Sequence, residues 1–310
     1  MNANLPRARR LAPIQAALFG CLCSAVAAGA ADALPSESEP RTFAPTGEVV
    51  VLRAPAPGMV RIPGGPFVMG STPDEVLGAA ALCATEPLGH RCTEQTFANE
   101  LGRRTLTLPS FWIDRTEVTV RDYERCAALG QCPPAAYPEG ATRLLQPDYP
   151  VVFVTYFGAR AYCRFRGARL PSEREFERAA RGTRGRTFPW GDAYNAHGAN
   201  HGRLALIEND ASDGFGELAP VGSFAAGATP EGVLDLAGNV AEWVEDVYRE
   251  RYDDPATPAD TGRRTVRGGS FRSAAAWIRG AARNGVPPET VSPEIGFRCA
   301  RSAESEEESE

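Results

Sequence analysis

Cysteines, clustered carboxylates and a few histidines and serines are the residues of this sequence whose types and spacing could do chemistry. Eight cysteines occur, and Cys21 and Cys23 lie in an apolar leader, so six remain beyond it. Cys83 is close to Cys92 in "CATEPLGHRC" and Cys126 to Cys132 in "CAALGQC", which leaves Cys163 and Cys299 for each other. An even set in an exported, oxidising setting favours disulfides over a metal cluster. A Cys163–Cys299 bridge closes a loop of more than a hundred residues, and such a bridge is worth about 4–5 kcal/mol in the chain-entropy picture. No thiol is then left to react. His197 and His201 stand four apart, a metal-ligand spacing on a helix, but "HGANH" holds Gly and Asn and is a poor helix. All 33 basic residues are arginine, so Schiff-base chemistry on lysine is excluded.

The elements that must position these groups are short. The chain carries 31 glycines and 26 prolines with no internal repeat, which predicts a loop-rich fold. Helices are predicted at "TVRDYERCAALG", capped by Thr119 and stopped by Gly130, and at "PSEREFERAARG", capped by Ser172 with Glu175 at the capping-box position. A third follows Thr155 in "TYFGARAYCRF". Strands are predicted in "MVRIPGGPFVMGS", "TLTLPSFWID" and "TVRGGSF". The order is α+β without alternating βαβ units, which excludes a Rossmann fold and a (β/α)₈ barrel.

Before this domain, Arg7, Arg9 and Arg10 precede an apolar run and small-residue cleavage sites, the pattern of a cleaved export signal over 1–30. Leu18-Phe19-Gly20-Cys21 also resembles a lipoprotein signal, which would make a lipid on Cys21 the chain's one route to a membrane. Residues 31–56 read as a Pro/Ser/Glu-rich linker, 57–301 as the globular domain and 302–310 as an acidic disordered tail. Removing 1–30 leaves 30 basic against 39 acidic side chains, a balance that argues against a nucleic-acid partner.

Seven segments then fall into one order: "MVRIPGGPFVMGS", "FWIDRTEVTVRDY", "RLPSEREFERAARG", "FPWGD", "GVLDLAGNVAEWVED", "VRGGSF" and "GFRCAR". Together, across residues 59–301, they resemble the formylglycine-generating enzyme (sulfatase-modifying factor) family. The resemblance implies a calcium-held variant of the C-type-lectin-like fold, low in regular secondary structure. It also implies a Cys163–Cys299 disulfide, in agreement with the count above.

The family's oxidases hold copper(I) on two cysteine thiolates just after the RGGS segment and convert a sulfatase cysteine to formylglycine. Soft Cu(I) needs those sulfur donors. In "RGGSFRSAAAWIRGAARN" the first thiol position falls on Ser273 and the second on Ala276, Trp277 or Ile278, so copper is not expected. Ser270 and Ser273 occupy family-equivalent positions and lack a nearby histidine base. For Arg267 and Ser270, strand packing with a buried Arg–carboxylate pair is the simpler expectation; Trp277, like Trp112, Trp190 and Trp243, reads first as core, with lining a cleft as its alternative. The family's other disulfide falls on Ala180 and Gly280 and is lost as a pair. The related iron sulfoxide synthases need a His-rich motif that the chain lacks.

Two calcium sites are implied by position. One would use the Asp235 and Glu242 carboxylates with the Gly238 and Val240 carbonyls; the other, Asn200 and Asp213 side chains with the His201 and Phe215 carbonyls. Carboxylates and turn carbonyls are the hard oxygens calcium takes. A helix starting at Asn239, with Glu242 at the box position, explains the first motif without a metal. The expectation is a non-catalytic binding or scaffold module for a protein, peptide or glycan. The alternative is an oxidoreductase acting on a sulfatase cysteine or a small metabolite.

Overall fold

A computed structural model of the chain describes residues 58–204, 210–252 and 261–303. The export signal, the linker and the acidic residues from 304 onward lie outside the described residues. β1 (Met59–Ile62) and β2 (Gly65–Met69) are joined by Pro63-Gly64. α1 (Pro73–Ala84) starts at Thr72, whose hydroxyl accepts from the Glu75 N–H while Glu75 accepts from the Thr72 N–H. This capping box, with Pro at the first helical position, is a start signal that the sequence displays. It was not among the helices expected above.

β3 (Arg104–Leu108) returns antiparallel to β2, and β4 (Phe111–Asp114) pairs antiparallel with β1. α2 (Val120–Ala128), α3 (Tyr156–Phe165) and α4 (Glu173–Arg181) begin at Thr119, Thr155 and Ser172, each hydroxyl accepting a first-turn N–H. All three expected helices form. β5 (Ala241–Val247) then replaces the helix considered for Asn239 onward. Asp235, Gly238 and Asn239 hold positive φ (56°, 76° and 55°), so the chain there is a tight left-handed loop that cannot lead into helix.

β6 (Arg264–Arg267) pairs with β5 and with β7 (Arg283–Val286), and the short β8 (Ile295–Gly296) runs parallel to β5. β9 (Ala300–Ser302) adds to β4, so ordered chain continues past Arg301. Among the described residues the sheets are β1–β4–β9, β2–β3 and β7–β6–β5–β8.

The core fills between these layers. α2 and α3 bury Tyr123, Tyr156 and Tyr162 against Trp243 and Phe297, and α4 buries Phe176, Ala179 and Ala180 against β1 and β4. Each such aromatic contributes about 1.5–3 kcal/mol by burial. The disulfides are Cys83–Cys92, Cys126–Cys132 and Cys163–Cys299, the pairing expected from the count. The last bridge ties α3 to the residue just before β9, the strand that closes the first sheet. Among the described residues no helix is long and apolar enough to cross a membrane.

Candidate functional site

Two glycines turn the chain at the end of β6. Gly268 and Gly269 hold positive φ (90° and 69°), and a Cβ on Gly269 would stand 2.6 Å from the Trp277 carbonyl oxygen. The turn delivers Ser270 and Ser273 to the wall of a cavity of about 310 Å³. Trp277, the β7 residues and Glu294-Ile295 complete the walls. Ser270 Oγ donates to Glu294 Oε2 at 2.9 Å, and Ser273 Oγ accepts from the Ser270 N–H at 2.9 Å. The two hydroxyl oxygens are 3.5 Å apart, and Arg272 donates to Glu294 Oε1 at 3.3 Å.

The chemistry available here follows from what faces the cavity. Ser273 presents an alcohol at one thiol position. Of the candidates for the second, Ala276 packs under α1 and Ile278 beside Phe188. Trp277 lines the cavity rather than serving only as core, and its ring lies 5.2 Å from that of Phe97. All six cysteines among the described residues are in disulfides. Glu294 was missed by sequence reasoning. Its position just ahead of the "GFRC" segment was the available signal.

Behind the cavity lies a buried ionic layer. Arg267 is 1% exposed, and its Nη2 donates to Glu177 Oε2 at 2.7 Å. Arg283 grips Glu173 with two bonds of 2.7 and 2.9 Å, and Arg279 grips Glu100 at 2.6 and 3.0 Å. Burial alone would raise the Glu177 carboxyl, but Arg267 and Arg181 outweigh it and hold it below its ordinary value. This is the buried Arg–carboxylate pairing expected for Arg267. The lost disulfide has left its geometry: a Cβ on Gly280 would lie 3.5 Å from the Ala180 Cβ, a disulfide distance.

The residues named for cations gather in two touching loops. A Cβ on Gly238 would stand 2.1 Å from the Asn200 carbonyl oxygen, and the Asn239 N–H donates to that same oxygen at 2.7 Å. In the second group, the Asp213 carboxylate accepts from the His201 N–H (2.8 Å) and the Phe215 N–H (2.9 Å). Asn200 Oδ1 is buried with no hydrogen-bond partner, while its amide nitrogen is held by Glu217 and Asn239. An orphaned amide oxygen on the residue before the one whose N–H anchors a carboxylate fits a hard cation.

In the first group Glu242 is fully buried, and both its oxygens accept from Arg298 at 2.7 Å. Asp235 accepts from the Gly222 N–H at 2.6 Å, and its charge acts on Glu117, a carboxylate that sequence reasoning missed within "RTEVTV" and whose Oε1 accepts from the Asn239 amide at 3.0 Å. Burial holds the Glu117 carboxyl well above the usual range and the Asp235 charge pushes it further, while Glu117 Oε2 has no partner. Among the described residues no three His, Cys, Asp or Glu side chains form a metal site by themselves, so carbonyl oxygens would have to complete either group. His201 is not paired with His197: its Nδ1 donates to the Gly202 carbonyl (2.9 Å), leaving Nε2 to accept from the Tyr194 hydroxyl (2.8 Å).

Residues 48–303 match the sulfatase-modifying factor enzyme 1-like domain. The chain is 32% identical over 303 residues to the formylglycine-generating enzyme of Streptomyces coelicolor, covering 80% of this chain and 90% of that one. It is 38% identical over 163 residues to the inactive C-alpha-formylglycine-generating enzyme 2 of Bos taurus, covering 50% of this chain and 51% of that one. It thus spans about half the length of the mammalian relatives it matches. PvdO from Pseudomonas aeruginosa superposes with a TM-score of 0.60 at 27% identity, covering 79% of this chain and 94% of that one. The chain belongs to the sulfatase-modifying factor enzyme 1-like, formylglycine-generating family.

Proposed function

We propose that this protein is an exported, calcium-stabilised member of the family that binds a partner in its cleft and performs no copper-dependent cysteine oxidation. The observation that carries the reading is Ser273: an alcohol hydrogen-bonded to the neighbouring backbone stands where the first sulfur donor would be needed. Cu(I) held by two thiolates has no equivalent in alcohol, indole and alkyl groups. A cavity of about 310 Å³ is at the small end for a ligand site and suits one inserted group of a protein, peptide or glycan. The acidic balance of the chain disfavours nucleic acid.

Calcium would be held at the second group by Asn200 and Asp213 with the His201 and Phe215 carbonyls. At the first group it would be held by Asp235 with the Gly238 and Val240 carbonyls, and Glu117 beside them. Glu242 serves Arg298 there. The bound ion would supply fixed positive charge to loops that carry strained backbone and buried carboxylates. Three disulfides support the export that the leader suggests. A lipid on Cys21 remains the route by which the chain would meet a membrane.

Metal analysis of the purified protein, followed by Cu(I) titration and oxygen uptake with a Cys-x-Pro-x-Arg peptide, tests the reading. Bound calcium without copper uptake supports it. Stoichiometric copper with turnover overturns it in favour of the oxidoreductase.

A further inference from the structure

We propose that Cys83–Cys92 is an exchangeable disulfide, opened by a thiol–disulfide oxidoreductase that attacks Cys92, and that opening it releases the strap of chain behind one wall of the Ser270 cavity. The exchange is independent of what the cavity binds. Burial separates this bridge from the other two. Cys126, Cys132, Cys163 and Cys299 are at most 1% exposed, which seals both of their bridges against an external thiolate. Cys83 is as deeply buried in the last turn of α1, but Cys92 is only half-buried. Exchange needs access to one sulfur of a bridge, and the accessible sulfur is the one attacked.

The strap that this bridge holds has few other ties. Among the described residues, the hydrogen bonds of 85–96 stay within their own short turns and the last turn of α1, and none of these residues forms an ion pair. Gly89 is their one buried residue. The residues that follow support the cavity from behind. Phe97 packs on Trp277, and the Asn99 amide donates to the Arg283 carbonyl (2.9 Å) and the Tyr248 hydroxyl (3.0 Å). The Asn99 carbonyl accepts in return from Arg283 Nη1 at 3.1 Å. Trp277 and Arg283 both line the cavity. A segment with so few contacts opens locally once its pin is removed, and Phe97 and Asn99 then lose their fixed approach to that wall. In the exchange, one thiolate of the partner's dithiol bonds to Cys92 and expels Cys83. The partner's second thiolate then expels Cys92. Two electrons pass to this chain, Cys83 and Cys92 take up two protons, and the partner is left as the disulfide.

The intact, disulfide-bonded protein is treated with reduced thioredoxin, quenched, alkylated and mapped by peptide mass over time. Label on Cys83 and Cys92 should appear at least about tenfold faster than on the other four cysteines. A thioredoxin whose resolving cysteine is replaced should be trapped on Cys92. In the opened protein the Trp277 indole resonance should shift and amide exchange over 97–101 should quicken by about tenfold or more. The Trp243 resonance should stay, because its indole N–H is held in the core by the Val154 carbonyl at 3.0 Å. Cys83→Ser with Cys92→Ser should reproduce the opened spectrum without reductant. Labelling of all six cysteines together, earlier opening of either other bridge, or trapping on Cys83 overturns the proposal. So does reduction of Cys83–Cys92 that leaves the Trp277 resonance and the exchange over 97–101 unchanged.

Discussion

Glu177→Gln probes the ionic layer on which the cleft is built. The carboxylate is fully buried and accepts four hydrogen bonds: from the Gly70 N–H (2.7 Å), Arg181 (3.0 Å), Arg267 (2.7 Å) and the Tyr252 hydroxyl (2.9 Å). An amide can keep the first two, but its NH₂ would then face donors on Arg267 and Tyr252. Breaking a buried pair from one side costs about 3–5 kcal/mol. Glu173 stands 3.4 Å from Arg267 Nη1 and softens the loss, which places the cost near the lower end. At about 2–4 °C per kcal/mol for a domain of this size, the melting temperature should fall by about 6–12 °C. Because Arg267 and Arg181 hold the folded carboxyl below its ordinary value of 4.5, its stabilisation is complete above about pH 4.5 and is lost as the pH drops through the folded value. The gap between wild type and variant should therefore be widest near neutrality and narrow in acid. Calorimetry from pH 3 to 8 with disulfides intact would read both effects. A variant melting within about 2 °C of wild type at pH 7, or a gap that widens on acidification, refutes the reasoning.

Chelation should lower the melting temperature of the calcium-loaded protein by about 5–11 °C for each occupied site if calcium is held near a hundredfold above its dissociation constant. Asn200→Ala should abolish the part of that shift due to the second site, and an unchanged chelation response would remove Asn200 from it. Ala180→Cys with Gly280→Cys should form a bridge, seen as a mass loss of about two daltons, because the two Cβ positions lie 3.5 Å apart. The gain should be about 1–3 kcal/mol, below the entropic ideal, since a Cβ on Gly280 meets Arg181 Cγ at 2.5 Å. Replacing Cys163 and Cys299 by serine should cost about 2–5 kcal/mol in urea unfolding, because it opens a loop with a sequence separation of 136. A loss below 1 kcal/mol would show that β9 holds its place without the bridge.

What was legible in the sequence was local. Thr119, Thr155 and Ser172 announce their helices because a hydroxyl cap and its first-turn partner lie within three residues of each other, and Thr72 announced α1 equally well. The disulfide pairing was legible too, since two close pairs leave one solution. β5 was not: "NVAEW" satisfies a helix start, and only the left-handed loop at Asp235, Gly238 and Asn239 turns the chain into the sheet instead. Glu117 escaped because nothing near it in sequence reveals its partners, and Glu294 because only its place ahead of "GFRC" hinted at a role. Asp235 is more than a hundred residues from Glu117, and Ser270 is 24 from Glu294.

The same long reach gives arginine its part in the interior. Arg298 spans the Asp114, Arg115, Leu234 and Asp235 carbonyls while holding both oxygens of Glu242, all with one planar group. An ammonium at that position has three donors and could satisfy at most half of these acceptors. Loops with so little regular hydrogen bonding of their own need such a multivalent donor, so Arg298→Lys should destabilise the fold although it keeps the charge. Stability equal to wild type in that variant would mean that charge, rather than the guanidinium's spread of donors, holds the loops around Glu242 together.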